Sequence, residues 1–224
     1  MSEQQSRLIG FSLEVTVGAP IEVVWAAMRE PDQVARWHGW HAEELDGEIT
    51  ELFVTLATEP EPYVLSIGDS DRFELRETAD GTVVRLTRPE RQDVPAEWVE
   101  FYDDISEGWT SFLHQLKFSL EQHPGQARRT VFLSASGAPR RPLTAGLDDH
   151  PVFFTAPHQR GVVLEKSGPG LAVVGETPAG PGREVGAMLI VTTYGQDDAQ
   201  FDREVEAWES WWREAFPDAG PATV

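Results

Sequence analysis

Hydrophobic side chains recur every three or four positions between residues 96 and 121. The members of this stripe are Tyr102, Ile105, Trp109, Phe112, Leu116 and Leu120. The spacing predicts one long amphipathic helix that packs against a large apolar partner. Asp93 and Pro95 provide its start signal, and residues 123–125 provide its stop. Gly108 lies beside the stripe at a cost of about 1 kcal/mol relative to alanine, which favours a bend, a close backbone contact or a ligand cavity.

The N-terminal region alternates between apolar and polar residues over positions 9–17, which predicts a half-buried strand. After Pro20 the apolar residues of segment 21–28 follow a helical spacing, so a short helix is expected there. Pro31 then begins a second brief helical turn through Val34 and Trp37.

The next segment, up to residue 87, has the pattern of a meandering antiparallel sheet. Five strands are predicted, at residues 40–45, 48–56, 63–67, 72–78 and 82–87. Turn signals at 46–47, 68–69 and 80–81 separate them at intervals typical of hairpins. A sheet followed by a long helix can bury both apolar faces when one lies across the other, so the fold class is α+β.

Several segments in this order resemble the START/SRPBCC helix-grip superfamily, and most closely its branch named for activators of the 90-kDa heat-shock protein ATPase. The resemblance rests on residues 15–25, on Arg36-Trp37, and on residues 107–109 followed by Leu113 and Leu116. It covers residues 8–124, which we interpret as one domain. The resemblance implies a curved antiparallel sheet wrapped around a long C-terminal helix, with an apolar cavity between them.

The second half of the chain has features of a shorter, degenerate copy of this plan. Strands are predicted at residues 129–136, 162–164, 171–175 and 187–194, and residues 201–212 align with 102–113 at a constant offset of 99. We therefore predict a second strand-then-helix unit at 125–217 and a tail at 218–224. The alternative is two unrelated segments that match by chance.

The amino-acid composition limits the kinds of molecule that the protein is expected to bind. The formal charge of −20 disfavours nucleic acid and anionic membranes, because both repel an acidic surface. The chain has no cysteine, no long apolar run and a polar start, so a cytoplasmic protein is expected. A small hydrophobic ligand and a protein partner remain as expected partners.

No motif in the sequence names a reaction, a metal or a cofactor. His38 and His41, near Glu43 and Glu44, have metal-ligand residue types, but no third ligand is indicated, so no metal site is predicted. His114 is interpreted as an ordinary residue of the polar helix face. We predict no catalytic residues and no cofactor.

The aromatic residues are more informative than the titratable ones. They either fill a core or line a cavity for a ligand between helix and sheet. The candidate ligand-binding residues are Trp40, Phe53, Tyr63, Phe73, Arg85, Trp98, Tyr102, Ile105, Gly108, Trp109 and Phe112.

Three functions follow as hypotheses. The first is non-catalytic binding of a small apolar or amphipathic molecule, or a stress-related accessory role. The second is an enzyme that resembles polyketide cyclases or aromatases, in which Arg85, Tyr102 and His114 would orient the substrate. The third is a co-chaperone-like interaction module that acts through its acidic surface.

Overall fold

The computed structural model describes residues 9–94, 99, 101–165, 170–177 and 184–224. The chain divides into two compact units. The first unit comprises the residues up to His38 and those from Glu44 to Pro124, and the second comprises Gly39–Glu43 and the residues from Gly125 onward. Each unit has an antiparallel five-stranded sheet.

The sheet of the first unit joins its first strand to its last. Its strands are β1 (Ile9–Val17), β2 (Ala57–Glu61), β3 (Val64–Ile67), β4 (Asp71–Thr78) and β5 (Gly81–Pro89). They lie in the order β1-β5-β4-β3-β2. The predicted strands at 9–17, 63–67, 72–78 and 82–87 are confirmed, because alternating side chains bury one face of the sheet.

The helices of the first unit flank this sheet in sequence. They are α1 (Ile21–Arg29), α2 (Pro31–Val34), α3 (Leu45–Thr50), a π-helical turn (Glu51–Thr55), a 3-10 turn (Arg91–Asp93) and α4 (Tyr102–Gln122). The two proline signals are confirmed, since Pro20 directly precedes α1 and Pro31 opens α2. The long helix is also confirmed, although it begins at Tyr102; its predicted first turn includes residues outside the described part.

The C-terminal end of α4 is attached to the end of β1. Lys117 Nζ donates a hydrogen bond to the carbonyl oxygen of Thr16 at 2.6 Å. Glu121 Oε1 accepts a hydrogen bond from the backbone N–H of Gly18 at 2.7 Å. These contacts fix one end of the helix across the sheet, which is the helix-grip arrangement that the resemblance implied.

The strands predicted at 40–45 and 48–56 are wrong. Residues 45–55 are helical, and Leu45, Ile49 and Phe53 are its buried residues. Their spacing of four residues is that of one helix face, whereas the β-branched content of this segment favoured a strand. A strand that was not predicted, β2, follows instead; its acidic residues and Pro60 suit an exposed edge position.

The second unit repeats the topology of the first. Its elements are β6 (Arg128–Ser136), β7 (Val152–Thr155), β8 (Gln159–Leu164), β9 (Gly170–Thr177), β10 (Gly186–Tyr194) and α5 (Asp198–Ala215). The strand order is β6-β10-β9-β8-β7, so the first strand again pairs with the last. This equivalence confirms a degenerate repeat of the helix-grip plan, with β7 as a strand that was not predicted.

The offset of 99 residues preserves apolar character and burial at two positions, whereas Trp208 and Trp211 are less buried than Trp109 and Phe112. Tyr102 and Phe201 are both buried, and so are Leu113 and Trp212. Helix α5 begins with a capping box, in which Asp197 accepts from the backbone of Gln200 and the Gln200 side chain accepts from the backbone N–H of Asp197. The repeat therefore lies in the buried face of each helix.

The C-terminal segment, predicted as a tail, packs on the second unit. Phe132 and Thr223 exchange two backbone hydrogen bonds of 2.9 Å, beside β6. Glu209 Oε1 on α5 accepts from the backbone N–H of Ala222 at 2.9 Å. Within the described ranges, no helix is both long and apolar enough to cross a membrane.

Candidate functional site

A histidine is enclosed by aromatic rings in the interior of the first unit. His38 is 1% exposed. Its ring centroid lies 5.7 Å from that of Trp37, 5.1 Å from Phe53, 5.5 Å from Trp109 and 4.9 Å from Phe112. We call these five residues the His38 cluster. They come from the end of α2, the π-helical turn and α4, so three separate elements converge on one imidazole.

The imidazole of the His38 cluster contacts a carboxylate that reaches solvent. His38 Nε2 lies 3.0 Å from Glu48 Oε1, and the Glu48 side chain is 49% exposed. The hydrogen bond with His38 lowers the pKa of Glu48, against an opposing effect of burial. Because an ionised carboxylate only accepts hydrogen bonds, this contact assigns a proton to Nε2 of His38. The pair thus connects the interior to the surface of α3.

The π-helical turn brings Phe53 into the cluster. Its irregular backbone leaves the carbonyl oxygen of Phe53 to accept a hydrogen bond from Arg29 Nη1 at 2.8 Å. Arg29 Nε also donates to Glu59 Oε1 at 2.7 Å, which links α1 to β2 across the turn. π-Helical turns are rare and occur frequently at functional sites.

A buried ion pair lies at the other end of the aromatic interior. Arg88 on β5 donates through Nε to Asp71 Oδ1 on β4 at 2.7 Å. Arg88 Nη1 also donates to the carbonyl oxygen of Tyr102 at 2.9 Å and to Ser106 Oγ at 2.6 Å, both on α4. Trp109 Nε1 donates to the second carboxylate oxygen of Asp71 at 2.8 Å. The pair therefore joins both strands to the helix and ends at an aromatic ring of the His38 cluster.

Tyr102 closes this end of the interior. Its ring lies under the guanidinium of Arg88, 4.7 Å from the ring centroid, and its hydroxyl donates to the carbonyl oxygen of Pro89 at 2.8 Å. Burial raises the pKa of Tyr102, so the hydroxyl stays a donor at neutral pH.

Five of the candidate ligand-binding residues are buried together between α4 and the sheet. They are Phe53, Phe73, Tyr102, Trp109 and Phe112. Phe73 on β4 connects the strand to the helix, since its ring lies 4.9 Å from that of Trp109. Ile105 and Gly108 are on the same helix and half-buried.

Gly108 borders an aromatic ring and not a second backbone. A Cβ atom at this position would lie 3.4 Å from Cε2 and 3.6 Å from Cζ of Phe112. Among the described residues, no backbone atom of another element is within 4 Å of that point. The close-backbone explanation for this glycine is therefore excluded within the described part of the chain.

Arg85 does not face the helix–sheet interior. It lies between Val84 and Leu86 on β5, and strand alternation places Arg88, which contacts α4, on the same face as those two residues. Arg85 therefore faces the opposite side of the sheet, where its Nε is 3.6 Å from Glu14 Oε1. The alternation of side chains along β5 therefore corrects the prediction that Arg85 lines the space between helix and sheet.

Trp40 also lies elsewhere, because Gly39–Glu43 belongs to the second unit. Its ring stacks on Phe132 of β6, with centroids 3.7 Å apart. Next to it, the backbone N–H of His41 donates to Thr130 Oγ1 at 2.6 Å. Residues 40–45 were expected in the first sheet, so this placement corrects both predictions.

Two other candidates are not part of the cluster. Tyr63 lies in the turn between β2 and β3, in a left-handed backbone conformation with φ of 59°, and contacts Trp25 of α1. Trp98 lies outside the described residues. His114 is half-buried on α4, and its Nδ1 donates a hydrogen bond to the carbonyl oxygen of Thr110 at 2.7 Å.

Sequence reasoning missed the polar members of the site, although each had a signal. Val34, Trp37 and His38 are spaced as one helical face, so His38 could have been placed on an apolar stripe. Asp71 and Arg88 lie on the buried faces of their strands, where apolar residues are expected. Asp71, for example, is two residues from Phe73 and therefore points to the same face. Charged residues in such positions indicate a buried pair. No group of three or more metal-ligand side chains is present in the described ranges.

The equivalent space of the second unit is apolar. Its core consists of Val131, Leu133, Leu143, Leu147, Val162, Leu164, Ala172, Val174, Ala187, Leu189, Val191, Phe201, Trp212, Ala215 and Phe216. The buried Trp212 Nε1 has no hydrogen-bond partner among the described residues. The buried Arg128 lies on the other face of β6, where Nη1 donates to the carbonyl oxygen of Gly39 at 3.0 Å. The charged interior is therefore a feature of the first unit.

Comparison with known proteins gives similarities in fold alone. No protein-family model matches the chain, and a search of curated proteins finds no match. The chain is similar to the crystal structure of DynU16, a protein in the dynemicin biosynthetic locus, with 14% identity, a TM-score of 0.34 and coverage of 84% of this chain and 89% of that one. An AHSA1-like protein from Rhizobium etli has 24% identity and a TM-score of 0.36, over 51% of this chain and 84% of that one. The di-domain ARO/CYC BexL, from the BE-7585A biosynthetic pathway, has 14% identity and a TM-score of 0.30, over 92% and 95%. The fold assignment rests on the strand order and helix placement of this chain.

Proposed function

We propose that the first unit binds a small, largely aromatic ligand with at least one polar oxygen group, between α4 and the first sheet. The observation that carries this proposal is the presence of polar groups within an aromatic interior: the buried His38, which pairs with the half-exposed Glu48, and the buried Asp71–Arg88 pair. The second unit has the same topology and an apolar interior.

Burial of charged and polar groups opposes folding unless they are paired, and a buried ion pair is often no better for stability than apolar residues of the same volume. In the described part of the second unit, the core between helix and sheet is formed by apolar residues, and no buried ion pair lies among them. The polar pairs of the first unit therefore support a role other than folding.

The chemistry of the interior agrees with a flat aromatic ligand. Ligand sites are commonly apolar and aromatic with a small number of polar groups that set orientation. The rings around His38 meet edge to face, an arrangement in which a planar ligand can make further aromatic contacts. His38 lies against the ring of Trp109, and Asp71, the partner of Arg88, accepts from its indole N–H, so polar groups adjoin the aromatic interior on both sides of this residue.

The π-helical turn supports a route of entry beside Phe53. Val54 and Leu56, the two apolar residues that follow, are exposed. An exposed apolar rim beside a buried aromatic residue suits the approach of a small apolar molecule from solvent.

Titration with 1-aminoanthracene tests this function, because the fluorescence of this neutral aromatic probe increases in apolar surroundings. We expect saturable binding of one probe per chain. Phe112→Leu removes an aromatic contact and should weaken binding by about 1 kcal/mol, or roughly fivefold in Kd.

Phe201→Leu is the matched control, since it makes the same substitution at a buried residue of the second unit. It should leave probe affinity unchanged. Equal weakening by both variants, or no saturable binding, would contradict the proposal, and the absence of binding would favour a protein-interaction module. A cyclase-like activity is the second candidate, favoured by the His38–Glu48 pair.

A further inference from the structure

We propose that His38 and Glu48 form a proton-transfer pair that catalyses keto–enol interconversion of a bound aromatic ketone. This inference rests on the proposed ligand-binding function of the first unit and goes beyond it. It assigns a chemical step to the site and identifies the substrates as enolisable aromatic ketones.

The geometry separates the two members of the pair in the way that proton transfer requires. His38 is 1% exposed, whereas the Glu48 side chain is 49% exposed, and 3.0 Å separates Nε2 from Oε1. A ligand among the rings of the His38 cluster would therefore contact the imidazole, while the carboxylate exchanges protons with water. His38 is the catalytic residue in this scheme, and Glu48 is a positioning residue that acts through it.

Glu48 also determines which imidazole nitrogen is basic. Since the carboxylate accepts the Nε2 proton, Nδ1 is the proton acceptor of the neutral ring. When Nδ1 takes up a proton, the nearby carboxylate stabilises the resulting imidazolium, as in other His–carboxylate pairs. Asp71, which accepts from Trp109 of the cluster, is itself paired with Arg88 at 2.7 Å.

The step balances without a further reactant. Nδ1 takes a proton from the carbon next to the ketone carbonyl, the C–H electron pair forms the C=C bond, and the carbonyl oxygen becomes an enolate. The imidazolium then returns one proton to that oxygen, which gives the enol and restores neutral His38. In D₂O, Glu48 supplies deuterons to the imidazole, so the reverse reaction places deuterium on carbon.

The test is deuterium exchange into 2-tetralone, a two-ring aromatic ketone with acidic C–H groups, followed by proton NMR. We expect the protein to accelerate exchange about a hundredfold or more over buffer, the lower range for a positioned acid–base group. His38→Gln should return the rate to that of buffer. Displacement of 1-aminoanthracene measures 2-tetralone binding in the same samples.

Glu48→Gln keeps the test decisive if the buried His38 variant does not fold. The amide oxygen of the half-exposed glutamine can still accept a hydrogen bond from Nε2. Unlike a carboxylate, however, it does not take up a proton from water near neutral pH and pass it on. We expect at least a tenfold slower exchange with unchanged probe affinity and only a small decrease in Tm, a combination that a purely structural role would not produce. His158→Gln, at an exposed histidine of the second unit, is the matched control and should exchange at the wild-type rate.

The outcomes separate the two proposals. Bound 2-tetralone that exchanges at the buffer rate, or a Glu48→Gln rate equal to that of wild type, would overturn the proton-transfer pair and leave ligand binding intact. Absence of 2-tetralone binding at millimolar concentration would overturn both.

Discussion

Arg88 donates through Nε to Asp71 Oδ1 at 2.7 Å, with both side chains almost completely removed from solvent. This contact joins β5 to β4, and the remaining hydrogen bonds of the pair reach α4. Loss of one partner leaves the other as an uncompensated buried charge, which is far more costly than loss of an exposed pair.

Arg88→Met should therefore lower the free energy of unfolding by about 3–5 kcal/mol. Chemical denaturation measures the difference. Asp198→Asn is the control, because its partner Arg129 and Asp198 itself are 37% and 95% exposed, and its effect should stay within about 1 kcal/mol. Similar small effects of both substitutions would contradict the interpretation of Asp71–Arg88 as a buried pair.

Gly108→Ala should stabilise the protein by up to about 1 kcal/mol, because alanine has the higher helix propensity and its Cβ meets Phe112 at ordinary contact distances. Thermal unfolding measures this change. Gly68→Ala makes the same substitution where a Cβ finds open space but φ is +54°, so it should destabilise. A loss of stability in Gly108→Ala would restore a close contact as the reason for this glycine.

His114 should make stability fall on mild acidification. Burial lowers its pKa from the ordinary value, and the charge of Lys117 adds to this effect. Below about pH 6.5 the unfolded chain therefore binds this proton more readily than the folded one, so stability decreases until the pH reaches the folded pKa. The unfolding free energy of His114→Gln should decrease less over that range than that of wild type. Parallel pH profiles for the two proteins would contradict the direction of the shift.

The fold could be predicted where one periodicity dominates. Strand β1 and helix α4 each follow a single pattern, and the offset of 99 residues between α4 and α5 revealed the repeat because both helices bury equivalent positions. Segment 45–55 was mistaken for a strand since apolar β-branched residues suit either structure over a short stretch. Its π-helical turn depends on tertiary contacts such as that of Arg29 with the carbonyl of Phe53.

The site was predicted in its aromatic part only. Hydrophobic spacing placed Trp109 and Phe112 on the buried face of α4, and the alternation of β5 could also have placed Arg85 on the face opposite to Val84 and Leu86. His38 contacts Glu48 from a different element, and Asp71 is 17 residues from Arg88, so neither pair forms a local motif. Such pairs become visible once the elements are packed.

Ligand binding in the first unit can be tested most directly through the indole N–H signals of ¹⁵N-labelled protein during titration with 2-naphthol, an aromatic compound with a polar oxygen. Trp37 and Trp109 report on the His38 cluster, whereas Trp208, Trp211 and Trp212 report on the second unit. Single Trp→Phe variants assign the signals. We predict saturable shifts of the Trp37 and Trp109 signals with those of the second unit unchanged. Shifts confined to the second unit, or no shift at millimolar 2-naphthol, would contradict the proposed function.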